Sequence, residues 1–130
     1  MTTDFNPSIT AQGTYAFDDL IAGDNVGPVT EGRGTVVSGQ NVLRGALLGR
    51  ITASGKLTLS LAASSDGSEV PAAILANDTN ATSGDKTNAL IYTAGEFNER
   101  KVIFGTGHTA ASTRDALRQI GIHLKDSVPA

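Results

Sequence analysis

The chain has 130 residues, of which 39% are apolar, 5% are aromatic and none is cysteine, and its net charge is −3. That length holds one domain, or one domain with an arm. Without cysteine there is no disulfide, no thiolate catalysis and no cysteine-based zinc site, and the acidic balance leaves no nucleic-acid footprint.

The sequence contains no run of about 18 apolar residues, so no membrane-spanning helix is expected. Met1-Thr2-Thr3-Asp4-Phe5 shows neither the basic start nor the apolar stretch of a secretory signal, and the absence of cysteine fits folding in the cytoplasm. Tryptophan is absent, so Val, Ile, Leu and Ala must build the core. So lean a core favours extra burial by self-association. The charge is uneven: residues 1–40 carry five acids (Asp4, Asp18, Asp19, Asp24, Glu31) against one base, Arg33. Such a stretch is either a solvated segment or an arm that docks on a basic surface.

In chain order, residues 1–13 read as irregular around Asn6-Pro7, with Phe5 and Ile9 their only large apolar groups. Tyr15-Ala16-Phe17 has strand character. Residues 18–34 are interrupted by Gly23, Gly27, Pro28, Gly32 and Gly34. The expected division is therefore an extended N-terminal arm at 1–34 and a single compact domain at 35–130. Thr35-Val36-Val37-Ser38 is β-branched and stops at Gly39. Residues 41–52 read as a strand with Leu47, Gly49 and Ile51 on one face and Leu48 and Arg50 on the other. Ala53-Ser54-Gly55 is a turn, and residues 56–61 alternate with period two, which turns Leu57, Leu59 and Leu61 inward. The two runs form a hairpin with a loop of about three residues.

Residues 62–69 turn around Asp66-Gly67. Residues 72–76 read as a short buried strand and 77–88 as a polar loop. Residues 89–93 are strand-like up to Ala94-Gly95, and Lys101-Val102-Ile103-Phe104 reads as a further strand, broken by Gly105-Thr106-Gly107. The helical candidate is 109–120, where Ala110, Thr113, Leu117 and Ile120 share a face. Thr109 or Ser112 can cap its start, Ser112 with Asp115 resembles a capping box, and Gly121 suits its end. Ile122-His123-Leu124 suggests a last strand with His123 outward. The fold class is α+β and mostly β: short strands, one C-terminal helix and an arm.

The residues offer little chemistry. His108 and His123 have no neighbouring carboxylate in sequence. Gly105-Thr106-Gly107 lacks the further residues of a dinucleotide loop or a P-loop. Residues 78–85 place oxygen ligands at alternate positions, but Ser83 and Ala89 stand where a calcium loop needs Gly and Glu. Glu96 and Glu99 have no spacing that argues for a shared proton, and no serine lies in a Gly-x-Ser-x-Gly elbow. An enzyme is not expected, and neither a cofactor nor a metal is implied.

One set of segments carries a resemblance. Gly39-Gln40-Asn41-Val42-Leu43-Arg44-Gly45-Ala46-Leu47-Leu48-Gly49 is followed by Asp66-Gly67-Ser68 and Pro71-Ala72-Ala73-Ile74-Leu75. Then come Ala89-Leu90-Ile91-Tyr92-Thr93-Ala94-Gly95-Glu96-Phe97-Asn98 and Leu117-Arg118-Gln119-Ile120-Gly121-Ile122. In this order they resemble the lambda-type bacteriophage head decoration protein family, over Gly39 to Leu124 and more weakly back to Phe17-Asp18. The resemblance implies a compact β-tulip-like fold and a homotrimer at local threefold positions of the expanded head. It implies that the trimer clamps the phage major capsid protein and reinforces the shell against packaged DNA, without touching nucleic acid or membrane. It places the protein on the outer surface of the virion head after synthesis in the host cytoplasm. It also implies an arm that orders on the capsid by strand addition, which makes Phe5, Ile9, Tyr15, Phe17, Asp18 and Asp19 the capsid-binding candidates. A phage-surface adhesin or carbohydrate-binding module is the alternative, disfavoured by the scarcity of aromatic residues for sugar stacking.

Overall fold

Leu47 and Leu48 are neighbours in sequence and both are fully buried. Successive strand side chains point to opposite faces, so this strand is covered on both sides. The computed structural model describes residues 20–21 and 29–126 and shows what covers it. The elements are β1 (Thr30–Val36), β2 (Asn41–Val42), β3 (Leu47–Arg50), β4 (Leu57–Leu59), β5 (Pro71–Leu75), β6 (Thr79–Asn80), β7 (Lys86–Asn98), α1 (Ala110–Gln119) and β8 (Ile122–Lys125).

Five strands close a ring. β3 pairs antiparallel with β4 and with β5, β5 with β7, and β7 with β1. β1 returns to β4 in parallel through Val36 and Leu57, and Val37 N–H donates to the Leu57 carbonyl at 2.9 Å. The result is a small closed barrel. β8 runs parallel to the far end of β7, from Gly95–Ile122 to Asn98–Lys125. β2 and β6 form a separate two-stranded ribbon.

Alternation along the barrel strands feeds two cores. Val36, Leu48, Leu57, Ala73, Leu75, Ala89 and Ile91 form one cluster, with a contribution from every barrel strand. This cluster fills the barrel. Leu47, Ile74 and Tyr92 point the other way and join Phe97, Leu117, Ile122, Leu124 and Leu20. Here α1 and β8 cover the outside of the barrel wall. The Tyr92 and Phe97 rings lie 5.4 Å apart at an interplanar angle of 41°, within the range of favourable tilted aromatic pairs.

The helix begins as its sequence prescribes. Thr109 is the N-cap and its hydroxyl accepts from Ser112 N–H at 3.0 Å, while Ser112 Oγ accepts from Thr109 N–H at 2.9 Å. The capping box is therefore Thr109 with Ser112, and Ser112 with Asp115 is not the pair. Gly121 follows the C-cap Ile120 with φ 95°, the conformation that ends helices most cheaply at glycine. Thr113 and Leu117 are buried, but Ile120 is 46% exposed. The helix ends at Gln119, before Ile120 can turn inward.

Other local expectations shift. β1 starts at Thr30, so Gly32 and Gly34 sit inside a strand and do not break it. A Cβ at Gly34 would stand 2.6 Å from Leu57 Cδ1, so the small residue lets β1 approach β4. β1 thus runs across position 34, where the arm was expected to meet the domain. β7 continues for 13 residues through Ala94-Gly95. The 101–104 segment contributes only an isolated bridge between Ile103 and Ala46. The 47–50 and 57–59 strands do pair as a hairpin, but the alternation fails after Leu59, since Ser60 is buried and Leu61 is 37% exposed. The expected strand at 15–17 lies outside the described residues.

Candidate functional site

The fold brings together one serine–histidine pair that the sequence keeps 48 positions apart. Ser60 Oγ lies 3.1 Å from His108 Nε2 and donates to the Ser68 carbonyl at 2.7 Å. A hydroxyl has one proton. With that proton on the Ser68 carbonyl, His108 Nε2 must donate to Ser60 and cannot accept from it. Among the described residues no carboxylate contacts His108. Ser60 is fully buried. The pair is thus a tether that binds the 105–108 turn to the 66–69 turn. Nothing in the sequence spacing signals it.

The oxygen-rich stretch at 78–85 is spent on the protein's own backbone. Asp78 Oδ1 accepts from Arg44 N–H at 2.8 Å, Asn80 Oδ1 accepts from Thr82 N–H and hydroxyl, and Asp85 Oδ1 accepts from Ser38 N–H at 2.8 Å. Asp85 also pairs with Lys56 at 2.6 Å. The Lys56 ammonium and then the Ser38 N–H hold the Asp85 carboxyl below the usual carboxylate range. Asp85 thereby ties the ends of β1 and β4, where the barrel closes. Asp66 is lowered too, by the Ser68 hydroxyl first and the Ser68 N–H second. Glu96 pairs with Lys125 and Glu99 with Arg114, each at 2.8 Å, so the two carboxylates serve separate cations. Gly105 and Gly107 pass against Ser60 and Ala62 in the turn that leads to the helix. Among the described residues no group of three or more His, Cys, Asp or Glu is arranged to hold a metal.

Surface features remain. Leu43, Leu61, Val70, Ile103 and Ile120 are large, aliphatic and exposed. Two of them stand on cross-braced segments: Ile103 N–H donates to the Gly45 carbonyl at 2.9 Å, and Ala62 N–H, next to Leu61, donates to the Thr106 carbonyl at 3.1 Å. Grooves open on the surface of the described residues, two of them beside charged side chains. One, of about 160 Å³, lies between α1 and β8 and is lined by Arg114, Arg118, His123, Leu124 and Lys125. Its three Lys and Arg residues are already paired, to Glu99, Asp115 and Glu96. The other, of about 260 Å³, lies between β6 and the start of β7 and contains Arg33 and Lys86. His123 faces outward from β8, as its alternation with Ile122 and Leu124 predicts.

The residues singled out in the sequence as capsid-binding, Phe5, Ile9, Tyr15, Phe17, Asp18 and Asp19, lie outside the described residues. Directly after them, Leu20 is buried at 1% exposure and its carbonyl accepts from Asn98 N–H at 2.7 Å, while Ile21 bridges to Phe97. Leu20 and Ile21 are therefore fastened to the outer edge of β7.

No curated protein matches the chain. The family model for bacteriophage lambda head decoration protein D matches residues 10–124. That span takes in the barrel, the helix, β8 and half of the residues before Leu20. The chain therefore belongs to the bacteriophage lambda head decoration protein D family, a structural family of the phage head.

Proposed function

We propose that this protein is a cement for the phage head: a homotrimer that binds the major capsid protein at local threefold positions of the expanded shell and stabilises it against packaged DNA. The observation that carries this reading is the family match across 10–124, body and anterior segment together. The role needs binding surfaces and no catalysis. The five exposed aliphatic side chains support self-association, because a closed ring of three uses a heterologous interface with apolar area on each copy. The protein's place is the outer surface of the virion head, after synthesis in the host cytoplasm.

Two parts share the work in this proposal. The body, 35–130, forms the trimer. The arm, 1–34, contacts the capsid, with Phe5, Ile9, Tyr15 and Phe17 as apolar anchors and Asp18 and Asp19 at its root. Its reach comes from residues 1–19, since Leu20 is buried and Thr30–Val36 is paired in β1. Strand addition to a capsid edge is the binding mode that an extended arm of this composition suits.

The test is co-sedimentation with expanded heads that lack decoration. Full-length protein is expected to pellet with the heads in multiples of three per threefold position. Deletion of 1–19, which spares Leu20, is expected to weaken pelleting and leave the trimer intact by light scattering. Failure of the full-length protein to pellet would sink the cement reading, and loss of the trimer on deletion would assign the arm to the body.

A further inference from the structure

The run after β5 and the start of β7 part company beyond one last bond, in which Ala76 N–H donates to the Leu90 carbonyl at 3.0 Å. β6 turns away to pair with β2, and Lys86–Ala89 of β7 pair with β1 but with no second strand among the described residues. The groove of about 260 Å³ lies in this gap, with Arg33, Asp78, Lys86 and Asn88 in its lining. The Ala76–Leu90 bond closes one end and the turn at 82–83 the other, so the gap admits side chains and not a further strand. Asn88 holds φ 58°, the left-handed conformation that non-glycine residues seldom adopt. Its carbonyl accepts from Arg33 Nη1 at 3.0 Å, which holds the guanidinium at the groove.

The electrostatics of this groove differ from those of the α1–β8 groove. Arg33 and Lys86 have no carboxylate partner. The single carboxylate in the lining, Asp78, accepts the Arg44 N–H. Asp85, next to Lys86 in sequence, is taken up by Lys56 and the Ser38 N–H. Two exposed cations thus stand here against one acid that is already bonded, an arrangement suited to a carboxylate. We propose that the groove is a socket for an acidic side chain of the major capsid protein, which pairs with Arg33 and Lys86.

A second copy's described residues are poorly placed to supply that acid. Asp66, Glu69 and Asp78 accept backbone N–H groups of their own chain. Asp85, Glu96, Glu99, Asp115 and Asp126 pair with Lys or Arg. Glu31 is left, and it shares the outer face of β1 with Arg33, two positions away. A copy that brings Glu31 to the groove must set β1 against β1, an isologous contact that a ring of three does not use. Asp4, Asp18, Asp19 and Asp24 of this chain are the rival source, and the cross-link below separates them from the shell. The inference rests on the cement reading and adds a second hold: the body grips the shell as well as the arm.

The test treats full-length protein bound to expanded, undecorated heads with a zero-length carbodiimide and reads the digested adducts by mass spectrometry. The expected product joins Lys86 to an Asp or Glu of the major capsid protein. The Arg33→Glu/Lys86→Glu variant is expected to bind the same heads roughly tenfold more weakly, since exposed pairs are individually weak, and to keep the wild-type mass by light scattering. Absence of a Lys86–capsid adduct, whether or not Lys86 joins an acid of this chain, overturns this proposal alone. So does a head affinity unmoved by Arg33→Glu/Lys86→Glu, or loss of the trimer in that variant. Failure of the wild type to pellet with the heads overturns the cement reading and this proposal with it.

Discussion

Leu117→Ala is the sharpest probe of how the helix is held. Leu117 is fully buried among Leu20, Leu47, Ile74, Phe97 and Ile122. Truncation removes three carbons, worth about 2.4 kcal/mol at about 0.8 kcal/mol per buried methylene. A cavity adds to this in proportion to the volume that the neighbours fail to refill. All of those neighbours but Leu20 sit on strands tied by ladders, β3, β5, β7 and β8, so little collapse is available. The expected loss is about 3–5 kcal/mol, in the upper part of the range for buried leucines. For a domain of this size that lowers Tm by roughly 10–20 °C. Ile120→Ala supplies the contrast. One helical turn further along, Ile120 is 46% exposed, and its truncation should cost under about 1 kcal/mol. Urea unfolding followed by circular dichroism, with all variants at one protein concentration so that self-association does not distort the midpoints, measures both. A Leu117→Ala loss below 1 kcal/mol, or an Ile120→Ala loss as large as that of Leu117→Ala, would refute the account of which helical face is buried.

Three further outcomes are expected. Gly49→Ala should destabilise by about 2 kcal/mol or more, because the new Cβ collides with the Ser68 carbonyl oxygen that also accepts the Ser60 hydroxyl; an unchanged denaturant midpoint would contradict the close approach. Thr109→Ala should cost about 1 kcal/mol and Thr109→Asp far less, as read by thermal melts of the two variants. Asp85 and Asp126 have carboxyls held below the usual range, by Lys56 and Arg100 respectively as the largest cause. A group depressed in the folded state adds stability above its unfolded value and loses it as pH falls through its folded value. Stability should therefore decline below about pH 4, and Asp85→Asn with Asp126→Asn should flatten that decline in a series of urea midpoints from pH 6 to pH 2.

Local signals in the sequence were strong where a single physical preference decided the outcome. The β-branched and leucine-rich runs at 47–50, 57–59 and 71–75, the threonine cap and the glycine stop of the helix are all legible, because propensity, pattern and capping agree. Misreadings occur where tertiary contact overrides the pattern. Gly32 and Gly34 look like strand breakers, yet Gly34 is the residue that lets β1 lie against Leu57. Ser60 looks solvent-facing in the alternation, yet it turns inward to bind Ser68 and His108. The barrel itself is invisible locally, since its closing β1–β4 pair is parallel and β1 meets β7 more than 50 residues away. The groove between β6 and β7 escaped sequence reading for the same reason: Arg33 and Lys86 line it together only once β1 pairs with β7. The family resemblance from Gly39 to Leu124 was legible as an ordered set of short segments, and the match over 10–124 extends it toward the N-terminus.

The junction at Leu20 and Ile21 has a mechanical consequence. Among the described residues, tension passing through Leu20 and Ile21 meets the outer edge of β7 at Phe97 and Asn98. Among the described residues the first resistance includes the Asn98–Leu20 backbone hydrogen bond, the Ile21–Phe97 bridge and the buried Leu20 side chain. The second is the antiparallel ladder of β1 on β7, from Thr30 to Val36. The same β7 is gripped by β5 and, near the entry point, by β8 in parallel. A pull transmitted through Leu20 is therefore borne on β7 at a site separate from the β1 ladder. Such a two-point attachment divides load between the outer layer and the barrel wall.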